Sequence, residues 1–270
     1  MKVIGTVIAK GAPNRVSDGR TVMCAILVSE EIGLVRVFPL HVTKDYDVKI
    51  WSVIECDGIH SQKDNRTESL RINSVRVIRH VESEVEKANL MNSCCLKTGT
   101  IDPLDYMNER KASIFVIRCP ERVGAILEPR ETVCVDHEID EDDAWVTTQC
   151  EFPYKPYITW QSIQGVTHKT HLCGQEVYYA MMKNASTPFR VFENMRFGDP
   201  DYVHWLVMGN MNNRRTVWLA AHVHRQKKTA SVMTSNLLTF AGSSENWPYL
   251  QQEAINVRCV NPQKTFEFTI

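Results

Sequence analysis

Five short apolar runs in the first 80 residues constrain the fold of this 270-residue chain more than any other feature. They are rich in β-branched residues, and clusters of Gly, Asn, Asp and Pro separate them. The runs are KVIGTVIAK (2–10), TVMCAILVS (21–29), GLVRVFPL (33–40), IWSVIECDG (50–58) and LRINSVRVIR (70–79). Short strands with turn signals and no helical pattern between them indicate an antiparallel β unit. The sequence therefore predicts a small antiparallel barrel, of which an OB-like barrel is one form.

The rest of the chain mixes helix and strand patterns. Residues 82–96 and 102–110 read as helices, with Ser83 as a cap of the first and Pro103 at the first position of the second. A helix is also predicted over 174–184, and strands over 112–119, 155–163, 190–197, 202–210 and 216–224. The predicted class is mainly β with a few helices (α+β), an OB-like N-terminal barrel being followed by a second β-rich domain.

An acidic run, DHEIDEDD (136–143), gives the predicted domain boundary. It lacks the Gly and the final Glu of a calcium loop, so it reads as a solvated loop. The predicted organisation is a barrel over 1–80, a connection with helices and a strand over 81–143, and the second β-rich domain over 144–270.

Composition narrows the class of protein. The chain is 43% hydrophobic with a net charge of −1, which is ordinary for a soluble globular protein. No apolar run approaches the ~18–20 residues of a membrane span, and the start lacks the apolar core of a signal peptide, so a cytoplasmic location is expected. The nine cysteines are odd in number and show no C-x-x-C spacing, so most are interpreted as small buried hydrophobic residues.

The first candidate site combines GLVRVFPL with DNRTESLRINS (64–74). Strand alternation places Arg36 on the same face as Leu34 and Phe38. A guanidinium there either reaches water or points into a concave surface lined by planar acceptors. The candidate catalytic residues are Cys24, Arg36, Asp64, Arg66, Glu68 and Ser69. Either they form a structural network or they line a pocket, and Cys24 is either a buried thiol or a nucleophile.

The second candidate is the segment THKTHLCGQE, in which His168, His171 and Cys173 could bind zinc. Alternatively, His168 and Glu176 form an acid/base pair if the segment folds back on the following helix. Zinc is the one cofactor that the sequence suggests, and the identity of any other stays open.

The third candidate is VHWLVMGNMNNRRTVWLAAHVHRQKK, which reads as a hairpin. Its histidines suit a metal or anion site or a polar sheet face. Its cations, with Trp205 and Trp218 between them, suit either a solvated loop or phosphate contact combined with base stacking. The candidate nucleic-acid-binding residues are Arg214, Arg215, His222, His224, Arg225, Lys227 and Lys228.

These segments resemble a family of poorly characterised bacterial and phage proteins. The resemblance lies in a Cys-bearing strand, a G-x-x-R-[VIL]-[YF]-P strand, a Trp and R-x-E-S, and further on in THKTHLCGQE and WLVMGNMNNRRTVWLAAHV. The positions that match the family's polar residues are Cys24, Arg36, Arg66, Glu68, Ser69, His168, Glu176, Gly209 and Asn210. Relatives carry a Cys pair ahead of the histidine, which implies a zinc site there, whereas this sequence departs from that pattern with ITWQSIQGV in its place.

Such proteins are similar to those of DNA-modification clusters of the 7-deazaguanine type. The resemblance implies a DNA partner and an enzyme that hydrates a base-borne nitrile to an amide, by a thiolate or by a water activated by a carboxylate. Two alternatives stay open: a non-catalytic OB-like nucleic-acid-binding protein, and a regulatory protein that binds a small molecule. No membrane partner is expected.

Overall fold

The structure is a computed structural model, and it describes residues 1–16, 18–60, 64–97, 100–119, 123–129, 135–139, 145–149, 154–162, 164–184 and 186–228. The first six strands are β1 (Lys2–Lys10), β2 (Asn14–Val16), β3 (Thr21–Ser29), β4 (Gly33–His41), β5 (Ser52–Ile59) and β6 (Ser69–His80). Two helices follow, α1 (Glu84–Ser93) and α2 (Pro103–Glu109). The next four strands are β7 (Ile114–Arg118), β8 (Val123–Pro129), β9 (Val135–Ile139) and β10 (Trp145–Gln149). The last described elements are β11 (Tyr154–Gln161), β12 (Thr167–Leu172), α3 (Gln175–Lys183), α4 (Arg190–Asn194), β13 (Tyr202–Met211) and β14 (Arg214–Lys227).

The predicted N-terminal barrel is confirmed. Five strands close on themselves in the order β1–β3–β4–β6–β5–β1. Counted along the chain without the short β2, the order is first, second, third, fifth, fourth, and the third and fifth strands are parallel. This is the Greek-key arrangement of an OB-fold. Alternation places Ala25, Leu27, Val35 and Val37 in the barrel's apolar interior.

The second sheet repeats the same strand order. Its six strands run β8–β11–β12–β14–β13–β7. If β7 and β8, which are successive in the chain, are counted as two halves of one first strand, the order is again first, second, third, fifth, fourth, first. The third and fifth strands, β12 and β14, are again parallel. The chain therefore contains two units of OB-like strand order, which we call the first unit (β1–β6) and the second unit (β7, β8 and β11–β14).

Helices surround the core of the second unit. Met107 of α2, Val177 and Met181 of α3 and Phe192 of α4 pack on a core that includes Trp160. Helix α1 begins at the predicted cap, since the Ser83 hydroxyl accepts a hydrogen bond from the backbone N–H of Glu86. Helix α2 begins with Pro103, as predicted. None of the described helices is both long and apolar enough to span a membrane.

The outer face of the first unit packs against the second unit. Ile26 and Val28 of β3 alternate with barrel-lining residues, so their side chains point outward. They are nevertheless buried, in one cluster with Val116 of β7, Trp205 of β13 and Met91 of α1. In OB-folds, the face of the second and third strands is the usual ligand surface. In the first unit, this face is covered.

Two predictions about chain organisation differ from the structure. The strand predicted over 190–197 contains the helix α4, in which the adjacent residues Val191 and Phe192 are both buried. Adjacent side chains of a strand point to opposite faces, whereas a helical turn can direct both to one core.

The second difference concerns the domain boundaries. Strands β7 and β8, from the segment predicted as a connection over 81–143, are part of the second sheet. The predicted acidic boundary starts within β9, and β10 pairs with β2 of the first sheet. Residues 140–143 of the acidic run lie outside the described residues, as does the weakly patterned segment from Ser235.

Candidate functional site

The loop before β6 contacts the second unit through Arg66. The Arg66 guanidinium donates three hydrogen bonds of 2.7–3.0 Å to the Asp64 carboxylate. The backbone N–H of Arg66 donates to the same carboxylate at 2.9 Å. Asp64 thereby orients Arg66, whose Nη1 donates to the backbone oxygen of Asn210 on β13 at 3.1 Å.

Glu68 and Arg36 both bind Ser113, the residue before β7. The Glu68 carboxylate accepts hydrogen bonds from the Ser113 N–H at 2.9 Å and from its hydroxyl at 3.0 Å. Arg36 Nη2 donates to the Ser113 carbonyl oxygen at 2.9 Å. Ser113 is fully buried. Two charged side chains of the first unit therefore satisfy the polar groups of one buried residue that leads into the second unit.

The strand pattern explains why Arg36 reaches this position. Arg36 lies on the outer face of β4, and its cross-strand partner in the parallel pair with β6 is Ser69. The opposing residue of β13 is Gly209, and a Cβ atom there would lie 3.0 Å from Arg36 Nη2. A glycine at this point therefore admits the guanidinium of Arg36, a residue that is only 5% exposed.

Burial and neighbouring charges shift the pKa values of Arg36 and Asp64. Burial, followed by the repulsion of Arg66, lowers the pKa of Arg36 to about 10, and Cys24, Asp64 and Glu68 oppose that shift. Burial alone would raise the pKa of Asp64, but the hydrogen bonds and charge of Arg66 outweigh it and hold this pKa below its ordinary value. Both groups therefore stay ionised near neutral pH.

The six predicted catalytic residues thus come together, at the interface of the two units. Most of their polar atoms bind partners within the chain. Among the described residues of this network, Arg36 Nη1, Ser69 Oγ and Asn210 Oδ1 are buried atoms without a hydrogen bond within 3.5 Å. The network is structural in its contacts, and a catalytic role for it stays a prediction.

The predicted basic hairpin forms, but its residues do not make one patch. Strands β13 and β14 pair along their length, from Tyr202 opposite Lys227 at one end to Met211 opposite Arg214 at the turn. Arg214 and Arg225 are exposed at opposite ends of β14, roughly 35 Å apart at ~3.3 Å per residue. Lys227 and Lys228 share the end of Arg225, and Arg215 shares the end of Arg214.

His222 and His224 do not lie on the predicted nucleic-acid surface, because both are buried between the units. Nε2 of His224 lies 2.6 Å from the backbone oxygen of Ile8 on β1. The two imidazole centroids are 4.4 Å apart. Burial, which is the largest effect, lowers the pKa of both side chains. They are neutral packing residues at neutral pH.

Two cations outside the predicted hairpin, Arg110 and Lys111, lie near its turn. Arg215 Nη2 donates to the backbone oxygen of Lys111, just after α2. The neighbouring Arg110 lies over the Tyr106 ring, at 4.3 Å from its centroid. We call Arg110, Lys111, Arg214 and Arg215 the basic turn. Arg110 and Lys111 are adjacent cations at the end of a predicted helix. They lie far from the hairpin in the sequence, so the sequence alone does not indicate that they meet it.

The predicted zinc ligands do not converge. His168 and His171 lie three residues apart on β12, so their side chains point to opposite faces. His168 Nε2 lies 2.9 Å from the Asp102 carboxylate. His171 packs on Tyr157, and the Cys173 thiol donates to the backbone oxygen of Ala220. In the described part of the chain, no three His, Cys, Asp or Glu side chains are grouped to hold a metal ion.

Comparison with known proteins adds little to this geometry. Residues 2–94, which comprise the barrel and α1, match the model of a domain of unknown function (DUF8758). No curated protein matches the chain. A solved structure of a murine DNA-binding protein bound to double-stranded DNA is similar with a TM-score of 0.30 and 10% identity, over 84% of this chain and 96% of that one. A TM-score this low does not establish a shared fold, so no function follows from it.

Proposed function

We propose that this chain binds nucleic acid. The observation that carries the proposal is the basic turn, where Arg215, next to Arg214 at the hairpin turn, binds the backbone oxygen of Lys111, next to Arg110. The turn joins the fourth and fifth strands of the second unit. In OB-folds, this loop is one of those that bind oligonucleotides.

Local charge matters here because the chain as a whole is nearly neutral, with a net charge of −1. A neutral protein has no general attraction for a polyanion, so binding must come from a local cluster. Arginine and lysine side chains that neutralise phosphates release bound counterions, so the affinity falls as the salt concentration rises.

Fluorescence anisotropy with labelled DNA tests the proposal. We expect binding that weakens strongly between about 50 and 200 mM salt. Combined Lys111→Ala and Arg214→Ala substitutions should weaken binding. They should also reduce the slope of log affinity against log salt concentration by up to about two. The matched control is Lys44→Ala, an exposed lysine of the first unit. Absence of binding at low salt would refute the proposal.

A second candidate function is the modification of a base in DNA, of the 7-deazaguanine nitrile type that the family resemblance implies. What supports it is the grouping of Cys24, Asp64 and Glu68 around Arg36. Arg36 Nη1 and Asn210 Oδ1, which are buried and have no hydrogen-bond partner, offer one donor and one acceptor to a polar molecule.

Nucleoside mass spectrometry of DNA treated with the protein tests this candidate. Cys24→Ala should abolish the modified product if the thiol is the nucleophile. Glu68→Gln should abolish it if the carboxylate activates water, because an amide cannot take up the proton. Unchanged product from both variants would exclude the chemical role and leave the network as an interface.

A further inference from the structure

The second unit exposes the face that the first unit buries. In β11, Ile158 and Trp160 point into the core, so Tyr157 and Thr159 point outward. The registers place Ile126 of β8 and His171 of β12 on either side of Tyr157. We call this surface the Tyr157 face, comprising Gly124, Ile126, Glu128, Lys155, Tyr157, Thr159, Lys169 and His171. Each of these residues is half-buried or exposed.

The middle of the Tyr157 face is aromatic. The ring centroids of Tyr157 and His171 are 5.5 Å apart, at an angle of 48°. Leu219 of β14, the partner of His171, extends the row across a fourth strand. Two rings and two aliphatic side chains on an open sheet form an apolar strip, which suits the flat face of a base.

Lysines lie on both sides of this aromatic row. Lys155 precedes Tyr157 by two residues on β11, and Lys169 precedes His171 by two residues on β12, so each is about 7 Å along its strand from the aromatic residue. The strands are antiparallel, so the backbones of the two lysines lie on opposite sides of the row, but the Lys169 side chain crosses the Tyr157 ring toward Glu128, the cross-strand partner of Lys155. The Lys169 ammonium lies 4.4 Å from the Tyr157 ring centroid and 2.5 Å from a carboxylate oxygen of Glu128.

Small residues keep the face flat beside the ring. Gly124 of β8 pairs with Thr159 of β11. A Cβ atom at position 124 would lie 2.6 Å from the Thr159 hydroxyl oxygen. A glycine inside a strand is a common mark of close approach by a ligand or a backbone. Because Gly124 has no side chain, no atoms rise above the sheet at this position near Tyr157.

From this geometry we propose that the Tyr157 face binds single-stranded nucleic acid, with an unpaired base stacked on Tyr157 in place of the Lys169 ammonium, and with flanking phosphates on Lys155 and on the displaced Lys169. This rests on the proposed function and adds the site and the strandedness of the ligand. Both faces of a base inside a duplex are already stacked, so only an unpaired base offers a face to an exposed ring.

The position of the face in the fold supports this ligand. The Tyr157 face is the surface of the second and third strands of an OB-like unit, which is where such units bind oligonucleotides. The parallel pair of β12 and β14 joins His171 to Leu219, and Arg215 of the basic turn precedes Leu219 by four residues on β14. The basic turn thus lies on the strand next to β12, on the side of the row where β14 begins.

The test compares a labelled oligothymidine of about 16 nucleotides with a duplex of equal length. We expect the single strand to bind more tightly than the duplex. Tyr157→Ala should weaken single-strand binding by about 10-fold or more, and Tyr157→Phe, which keeps the ring, should bind like the wild type. Lys169→Ala should weaken binding and reduce its salt dependence. Tyr46→Ala, at an exposed tyrosine of the first unit, is the matched control.

Each outcome separates this inference from the proposed function. If the protein binds nucleic acid but Tyr157→Ala binds as tightly as Tyr46→Ala, the site is wrong while nucleic-acid binding stands. If duplex binds as tightly as the single strand, the strandedness is wrong. If neither ligand binds at low salt, both proposals fail. Circular dichroism of each variant shows whether a loss of binding comes from unfolding.

Discussion

Glu68 provides the sharpest test of what the loop before β6 does. In the structure, its carboxylate accepts two hydrogen bonds from the buried Ser113. Glu68→Ala removes both acceptors and leaves the Ser113 N–H buried without a partner. Glu68→Gln keeps one carbonyl oxygen for that N–H, and its NH₂ group can donate to the Ser113 hydroxyl. The two variants therefore differ in hydrogen bonding while both remove the charge.

The expected cost of Glu68→Ala follows from these contacts. Hydrogen bonds to a charged group are worth about 1.5–3 kcal/mol each, and an unsatisfied buried donor costs about 1–3 kcal/mol. Glu68 is half-exposed and water can replace part of the loss, so we expect a decrease of about 2–4 kcal/mol in the free energy of unfolding. Glu68→Gln should cost about 0.5–1.5 kcal/mol.

Urea unfolding followed by tryptophan fluorescence measures these differences. Glu82→Ala, at an exposed glutamate of the segment after β6, is the control and should stay within about 0.5 kcal/mol of the wild type. Our interpretation of Glu68 as an interface residue would be refuted if Glu68→Ala were as stable as Glu82→Ala. A stable Glu68→Gln variant that makes no modified nucleoside would instead indicate a chemical role for the carboxylate.

Two further predictions concern the contact between the units. Burial lowers the pKa of His222 and His224, so below the ordinary value of about 6.5 the unfolded chain binds more protons. The free energy of unfolding should therefore be highest above about pH 6.5 and decrease as the pH is lowered further. His224→Gln should make the melting temperature less dependent on pH in this range. Gly11 and Gly174 form a bridge between the units, but a Cβ atom at position 174 would lie 2.5 Å from the backbone oxygen of Ala221, whereas at position 11 the nearest atom is 3.8 Å away. We expect Gly174→Ala to cost about 1–3 kcal/mol in urea unfolding and Gly11→Ala to cost much less; equal effects would contradict this.

The first unit was largely predictable because its signals are local. Strands β1 and β3 begin and end at the predicted residues, and β4 differs from its prediction only at its last residue. Ser83 caps α1, and Pro103 begins α2. Alternation of apolar residues, turn residues and caps act within a few positions, so they can be read from one sequence.

The second unit was harder because its organisation depends on distant pairings. Its first strand is interrupted between β7 and β8, and β9 and β10 intervene before the second strand. Strand β12, THKTHL, is polar enough to have been interpreted as a metal-binding segment. The sequence shows three potential ligands close together, but only the strand conformation shows that His168 and His171 point apart.

A pocket wall and a polar interface make similar demands on a sequence, which limits what the motif around Arg66 can reveal. Both need charged side chains held in one orientation beside apolar strands, and here Asp64 holds Arg66 as it would in either case. What separates the two is the location of the partners. Asn210 and Ser113 lie more than 40 positions away in the chain, and only the closed barrel and the packed second sheet bring them to the loop. By contrast, the Tyr157 face joins neighbouring residues of β8, β11 and β12, and the side chains of Lys169 and Glu128 remain partly exposed. The stronger case for a ligand site therefore lies in the unit whose function the sequence indicated less clearly.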